Sequence, residues 1–391
     1  MISVNEAKAI LQELELARNV QVLPISSAQG FFLAKPISSQ LDVPSFDNSA
    51  MDGYAFSWEE GVSQLELVGE AAAGAAELPK LEKGQAIRIF TGAPMPSGAD
   101  SVIMQEKVER NGNSIRFNPE DSVRGNHVRY RGTQCKKGDI IAEAGAKITP
   151  GLVSLLASVG VKEVPVYQAP KVAIIITGNE IQDLGNELQA GQIYNANGPA
   201  LESWLRKLQV DEIQAIKVPD QKEAVVETLA QALDQNDLII FTGGISVGDY
   251  DFVKNAVEEN QVEQLFYKLK QRPGKPLYAG QKNGKVVFAL PGNPGSVLSC
   301  FLQYVKPVIL AWKGDEEAWN HFREFPLAHD FEKKIPLTQF LKAKIQNGKV
   351  EVLQGQESFN LIAFGLADGF VEIPEESFVV ESGTLLKFYP W

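Results

Sequence analysis

The chain reads as a multidomain α/β and β protein, in which a central open, mostly parallel α/β sheet lies between a largely β N-terminal part and a small C-terminal β part. Three observations lead there. Strand-like and helix-like segments alternate over roughly 145 residues in the middle of the chain. Two of those strands, around Ile174 and Ile240, are unbroken apolar runs, as expected of strands covered on both faces. On either side the pattern changes to short apolar runs interrupted by Gly, Pro, Asn and Asp.

Taken in order, Ser3 and Glu6 have capping-box spacing, and Ala7, Ile10, Leu11 and Leu14 make one apolar stripe, so the chain opens with a helix. From about Pro24 to Lys147 the segment is irregular and largely β, with strand candidates at 65–68, 85–90, 102–104 and 114–117. A helix over 152–158 follows. Residues 172–176 then read as a fully buried strand. After it come a helix over 199–208, a strand over 210–216 and a helix from 221 to about 232. A buried strand over 238–241, a helix over 250–260, a strand over 286–290 and a helix from Pro294 to Trp312 complete the alternation. Beyond a linker near 314–319, strands at 341–345, 350–353, 369–373 and 385–388 suggest the small β domain.

Composition narrows the function. Of 391 residues, 44% are apolar and 22% charged, an ordinary balance for a soluble protein. The net charge of −12 offers no general attraction to nucleic acid or to an anionic membrane. No run approaches the roughly 18 apolar residues of a membrane span. Glu6, Glu13 and Glu15 stand where a secretory signal needs its apolar core, so a cytoplasmic location is expected. The two cysteines, Cys135 and Cys300, and the three histidines have no metal-ligand spacing. Any metal chemistry then rests on oxygen ligands, which points to magnesium.

Three polar glycine loops follow the central strands. They are Thr177-Gly178-Asn179-Glu180, the run from Thr242 through Gly243, Gly244, Ser246, Gly248 and Asp249 to Asp251, and Pro291-Gly292-Asn293-Pro294-Gly295-Ser296. In an open parallel sheet such loops converge on the ligand crevice, where glycines allow close backbone approach and amides at helix starts hold phosphate oxygens. In the third loop Pro294 suits the first helical turn, and Gly295 and Ser296 are expected to expose amides and a hydroxyl. None of the three is G-x-G-x-x-G or G-x-x-x-x-G-K-[ST], which argues against a dinucleotide oxidoreductase or a P-loop nucleotidase. Glu180, Asp220, Asp249 and Asp251 could fix Mg²⁺ against a phosphate or pyrophosphate. Lys268, Arg272 and Lys275, around Arg272-Pro273-Gly274-Lys275-Pro276, are natural partners of an oxyanion.

Two further runs carry a resemblance. Asp47-Asn48-Ser49-Ala50-Met51-Asp52-Gly53-Tyr54-Ala55 and Phe90-Thr91-Gly92-Ala93-Pro94-Met95-Pro96-Ser97-Gly98-Ala99-Asp100 resemble the signatures of the molybdopterin molybdenumtransferase family, the cofactor-insertion enzymes related to the E domain of gephyrin. The central loops and the Arg-Pro-Gly-Lys-Pro segment match others in the family's order, so the resemblance covers nearly the whole chain. It implies an N-terminal linker-like region (1–166) with an inserted mainly β domain at about 46–134, a molybdopterin-binding α/β domain (167–314) and a C-terminal β domain (315–391). It implies an elongated homodimer whose active site lies between protomers, with transient contact to a molybdopterin adenylyltransferase and to cofactor acceptor proteins. The reaction it implies inserts molybdate into adenylylated molybdopterin and releases AMP, supported by Mg²⁺. The carried-over residues are Asp52, Thr91, Glu180, Asp220, Asp251, Lys268, Arg272, Lys275 and Ser296, with Glu180, Asp251 and Asp52 as metal ligands.

The match has departures. Asn179 stands where the family commonly has Asp, Arg272 replaces a frequent lysine, and Lys342 or Lys344 lies where many relatives have arginine. Glu357 sits in a segment less glycine-rich than usual. Adenylyl transfer to molybdopterin, or a non-catalytic cofactor carrier, are the competing functions. The two N-terminal signatures favour insertion.

Overall fold

The computed structural model describes residues 1–74, 80–244 and 252–391. These form two compact units, residues 22–165 and residues 1–21 together with 166–391. The resemblance groups the first residues with the N-terminal region, whereas Val4, Ala7 and Leu11 of the opening helix, Val4–Gln12, join the core of the α/β sheet. The capping box forms as expected: Glu6 N–H donates to Ser3 Oγ, and Ser3 N–H donates to the Glu6 carboxylate at 2.7 Å.

Within residues 22–165 the main element is a six-stranded sheet ordered Ser101–Met104, Gly53–Phe56, Gln85–Ile89, Gln64–Ala71, Ser114–Phe117, Val108–Asn111. Alternation along the strands explains its two-sided core. Tyr54, Phe56, Leu65 and Ile103 pack on one face, and Ala55, Ile87, Ile89 and Val102 on the other. The helix Pro150–Ser158 begins at Thr149, whose hydroxyl accepts the Leu152 amide.

The second unit is built on a sheet of six strands: β1 Val172–Thr177, β2 Ile213–Val218, β3 Leu238–Thr242, β4 Glu263–Tyr267, β5 Tyr278–Lys282 and β6 Lys285–Leu290. Their spatial order is β2-β1-β3-β6-β5-β4. The first four run parallel, while β5 pairs antiparallel with β6 and β4 antiparallel with β5. The unbroken apolar run of β1 now has its reason. Val172, Ile174 and Ile176 face Leu201, Leu205 and Phe301 on one side, whereas Ala173 and Ile175 face Val225 and Leu229 on the other. Helices Asn197–Lys207 and Pro294–Cys300 cover the first face, and Lys222–Gln235 and Phe252–Glu259 the second.

The structure corrects one expectation, adds two strands and refines one helix. The strand expected over 210–216 runs over Ile213–Val218, because Val210 is spent on closing the end of the preceding helix. Gln209 adopts φ +59°, its amide bonds Arg206 O, and the Val210 amide bonds Leu205 O at 3.0 Å, a Schellman closure that takes Val210 out of the strand. Strands β4 and β5 carry polar residues and a glycine, lie at the antiparallel edge, and so lack the apolar run that marks the central strands. The helix from Pro294 does reach Trp312, but Phe301–Val305 is a π-helical turn between two α-helical halves. This same stretch, Pro294–Trp312, is long and apolar enough to cross a membrane, yet 78% of it is buried within the protein.

The C-terminal sheet is ordered Gln271–Arg272, Thr338–Gln346, Gly369–Ile373, Leu385–Pro390, Arg323–Pro326, with Lys349–Val352 also pairing Thr338–Gln346. Its first strand comes from the Arg-Pro-Gly-Lys segment, so the cationic loop hangs on the C-terminal sheet as well as on the α/β domain.

Lys8 marks where the opening helix meets that sheet. Its ammonium donates to Gln303 Oε1 at 3.0 Å and to Tyr389 Oη at 3.2 Å. Burial lowers its pKa to about 8; the Glu372 charge opposes the shift and the Lys387 charge adds to it. A lysine whose folded pKa lies below its unfolded value near 10.5 destabilises the fold while both states are protonated, and stability rises as pH climbs through that window. In urea titrations, the unfolding free energy of the native chain relative to Lys8→Met is expected to rise by about 2 kcal/mol between pH 7.5 and 10. A flat difference would show that Lys8 titrates alike in both states.

Candidate functional site

The strand order places β1 between β2 and β3, so the connections leave β1 in opposite directions and open a crevice at the carboxyl ends. A cleft of about 540 Å³ occupies that place. Thr177 at the end of β1 and Glu180 in the loop after it, Thr242 at the end of β3 with Gly243 after it, and Gly292, Asn293 and Pro294 after β6 line it. Ile181, Ile193 and Tyr194 form one lip, and Phe359 and Leu361 from the C-terminal domain form the other. Phe359 is 72% exposed, an apolar ring held open to solvent at the cleft mouth.

Glycine is needed at Gly243. Its φ is +90°, and a Cβ there would stand 2.7 Å from Thr177 O, so the loops after β1 and β3 touch backbone to backbone. At Gly178, a Cβ would meet both Glu180 carboxylate oxygens at 2.9 Å, which places that carboxylate back over the turn. Asp220 and Asn179 bracket each other: the Asn179 amide donates to the Asp220 carboxylate at 3.1 Å, and the Asp220 amide donates to Asn179 Oδ1 at 3.3 Å. The Asn179 side chain thus joins the loops after β1 and β2 by an acceptor oxygen, a contact that asparagine makes without adding a second negative charge beside Asp220.

A second cavity, about 320 Å³, is lined by Arg272, Pro273, Gly274, Lys275, Ser296, Gln356 and Ser358, among others. It carries two cations and no carboxylate among its described lining residues. The two cavities share walls through neighbouring residues, Pro294 and Ser296 on the helix, and Phe359 and Ser358 on the C-terminal loop. The Gly295 amide, expected to be free for a ligand, instead donates to Ser358 O at 2.8 Å. A Cβ on Gly295 would stand 2.7 Å from the same oxygen, so glycine is required for this closure. The Ser296 amide likewise bonds Asn293 O, leaving the position's hydroxyl as its means of contact with a ligand.

The C-terminal departures have a structural role. Lys342 is buried and its ammonium donates to Glu357 O at 3.0 Å and Asn360 O at 3.2 Å, holding the loop that carries Ser358 and Phe359. Burial pushes the Lys342 pKa down, opposed by the Glu357 charge. Lys344 points outward.

Of the residues expected from sequence, Glu180, Gly243, Gly292 and Asn293 meet in the cleft, and Arg272, Lys275 and Ser296 in the second cavity. Gly178, Gly244, Asp220, Pro291 and Gly295 shape the surrounding loops. Ser246, Gly248, Asp249 and Asp251 lie outside the described residues. Lys268 lines neither cavity: its amide bonds Leu277 O, and its ammonium lies 4.8 Å from the Tyr267 ring centroid. Within the other unit, Asp52 and Thr91 are brought together, since the Thr91 amide and hydroxyl both donate to one Asp52 oxygen at 2.8 Å. Those two bonds, with the Arg88 charge, hold the Asp52 carboxyl below its usual pKa. Among the described residues no three His, Cys, Asp or Glu side chains cluster as a metal site.

Two residues escaped the sequence reading. Asn197 Nδ2 donates to Thr242 Oγ1 at 2.8 Å and Gly292 O at 2.9 Å, tying the ends of β3 and β6 together. The Thr177 hydroxyl is buried at the cleft without a hydrogen-bond partner among the described residues. The Asn195-Ala196-Asn197-Gly198 run before a helix was the available signal, as paired asparagines at a helix start commonly serve backbone or loop contacts.

Comparison with known proteins agrees along the chain. Residues 2–160 match the MoeA N-terminal region (domain I and II), 173–311 a probable molybdopterin binding domain, and 324–391 the MoeA C-terminal region (domain IV). The molybdopterin molybdenumtransferase of Haemophilus influenzae is 34% identical, with 100% of this chain and 99% of that one covered. That of Staphylococcus epidermidis is 32% identical over 95% of this chain and 91% of its own. The crystal structure of a molybdopterin biosynthesis MoeA protein from Pyrococcus horikoshii superposes with a TM-score of 0.82 at 31% identity, covering 100% of this chain and 99% of that one. The signatures around Asp52 and Thr91, the crevice at the ends of β1, β3 and β6, and these full-length similarities agree: the chain belongs to the molybdopterin molybdenumtransferase family.

Proposed function

We propose that the chain inserts molybdenum into adenylylated molybdopterin, taking molybdate as the second substrate and releasing AMP as the phosphoanhydride is cleaved. The observation that carries this reading is the pairing of two adjoining cavities. One is a polar cleft at glycine-rich strand ends with apolar lips, suited to a phosphorylated heterocycle. The other is a smaller pocket lined by two cations, suited to a tetrahedral oxyanion.

In this reading Gly243 and Gly292 let the ligand approach the backbone, and Asn197 holds their two loops at a set spacing. The orphaned Thr177 hydroxyl donates to a ligand oxygen. Arg272, Lys275 and the Ser296 hydroxyl receive molybdate. Mg²⁺ takes oxygen donors, commonly one or two carboxylates plus substrate phosphates, and Glu180 at the cleft is a donor of that kind. When bound, Mg²⁺ would share the charge of the phosphoanhydride oxygens. The deciding assay incubates the purified protein with adenylylated molybdopterin, molybdate and Mg²⁺, then quantifies AMP and metal-loaded cofactor. Substrate binding without AMP release would overturn the assignment, and adenylylation of molybdopterin from ATP would replace it.

The same reading expects a homodimer in which Asp52 and Thr91 serve the site of the other protomer. Asp52→Asn keeps an acceptor oxygen for Thr91 while removing the charge, so it is expected to fold normally and lose about 100-fold in turnover. Mixing it with Glu180→Gln subunits is expected to restore activity, since some hybrid sites are then complete. No recovery from hybrids whose formation is verified would place both residues in one protomer's site.

A further inference from the structure

Beneath the cationic loop lies a buried polar network that neither the strand-end loops nor the family signatures account for. Gln271 is 0% exposed. Its side-chain nitrogen donates to Pro273 O and Gly274 O, each at 3.1 Å, and lies 3.5 Å from Cys300 Sγ. Its side-chain oxygen accepts the Tyr304 hydroxyl. The Cys300 thiol in turn lies 3.6 Å from Gly274 O. Cys300 and Tyr304 are four residues apart where the α-helix passes into its π-helical turn, and both turn toward Gln271.

This arrangement determines which way the amide points. Tyr304 is a donor to Gln271, and two carbonyls on the opposite side can only accept, so the oxygen must face Tyr304 and the nitrogen must face the loop. Burial pushes the Tyr304 phenol and the Cys300 thiol well above their ordinary pKa values, so both stay protonated. The backbone supports the same loop from outside. Leu269 N–H donates to Lys275 O at 2.8 Å, and Gln271 pairs with Thr338 of the C-terminal sheet.

We propose that Gln271 is the positioning residue of the oxyanion pocket: oriented by Tyr304, its amide clamps the Pro273 and Gly274 carbonyls and so holds Arg272 and Lys275 against one anion. The inference rests on the reading of that pocket as the molybdate site. Gln271 borders the cavity, but both of its polar side-chain atoms are engaged by protein groups, so it acts on the anion through the loop. Without the clamp the Pro273 carbonyl loses its donor, the Gly274 carbonyl keeps only the Cys300 thiol, and the loop relaxes between its outer backbone supports.

The test is calorimetric titration of the full-length protein with molybdate alone and, separately, with adenylylated molybdopterin, alongside thermal unfolding. Gln271→Met keeps the side chain's length and removes both polar atoms. It is expected to weaken molybdate binding about tenfold or more, since displacements of an ångström at such sites carry effects of that size. Pterin-nucleotide affinity is expected to stay within about twofold. Tyr304→Phe leaves the amide oxygen without its donor and should weaken molybdate binding by a smaller factor, with no further loss on the Gln271→Met background because the two act as one unit. If Gln271→Met does not fold, Tyr304→Phe carries the test, and unchanged molybdate affinity overturns the proposal. Unaltered molybdate binding by Gln271→Met, equal weakening toward both ligands, or additive effects of the two substitutions would overturn it as well. An Arg272→Gln, Lys275→Gln double variant separates the layers. If it binds molybdate like the native chain, the pocket reading itself fails; if it alone loses molybdate, the pocket stands and the clamp does not.

Discussion

Replacing Glu180 by glutamine is expected to lower turnover about 10²–10³-fold, the equivalent of several kcal/mol of charge stabilisation at 1.36 kcal/mol per decade. The side chain leaves the end of β1 and its carboxylate lies over Gly178 at the floor of the cleft. Glutamine has the same length and keeps one oxygen acceptor, and the Glu180 carbonyl that takes the Ile193 amide at 2.9 Å is unaffected. As an exposed position, it should tolerate the change with less than about 0.5 kcal/mol of lost stability. What disappears is the negative charge, the property that a hard divalent cation requires. Raising the Mg²⁺ concentration should recover part of the loss if affinity is weakened, and steady-state assays across a magnesium series measure that directly. Near-native turnover at every magnesium concentration would exclude Glu180 as a ligand.

Removing both charges of the second cavity, Arg272→Gln with Lys275→Gln, is expected to weaken molybdate binding about 10²–10⁴-fold, because each hydrogen bond to a charged group contributes about 1.5–3 kcal/mol. The cavity's described lining residues include no carboxylate to compensate either cation, so the pocket's field is set largely by these two side chains and the Ser296 hydroxyl. The effect should be selective. The cleft proposed for the pterin nucleotide is lined by different residues, and its affinity for that ligand should change far less. High salt should reproduce part of the effect in the native chain, since an anion pocket open to solvent is screened. Equal loss of affinity for both substrates would show that the loop supports the fold and does not select the oxyanion. Arg272 is not interchangeable with lysine: its planar fork offers two donors to one oxyanion where an ammonium offers a point charge.

Much of the architecture was legible because it depends on burial. The Val172–Thr177 and Leu238–Thr242 strands are unbroken apolar runs, and only a sheet covered on both faces gives every position of a strand an apolar neighbour. Strands β4, at the edge, and β5, beside it, were missed for the converse reason, since their partly exposed positions tolerate glutamine and lysine and a glycine breaks the apolar run of β5. Site residues followed the same logic. Gly243 was found because a glycine after a buried strand signals close backbone approach, and the structure puts Thr177 O where its Cβ would stand. Asn197 and Thr177 were missed because an asparagine at a helix start and a threonine at a strand end are ordinary residues until their partners are known.

By itself, then, the sequence determined the order of the domains, the covered central sheet, the glycine loops at its carboxyl edge and, through the Asp52 and Thr91 signatures, the family. Those are local properties, written in periodicity, turn chemistry and contiguous motifs. Only the tertiary structure decided that the Gly295 amide is spent on Ser358, that the Lys342 ammonium is spent on loop carbonyls, that Lys268 stands apart from both cavities, and that Gln271 sits under the cationic loop with Tyr304 and Cys300. The Gly295, Lys342 and Gln271–Tyr304 contacts depend on partners 15 or more residues away in the chain, 33 between Gln271 and Tyr304. A side chain's hydrogen-bonding role is set by whichever donor or acceptor folding brings within about 3 Å, and chain-local patterns carry no record of that neighbour.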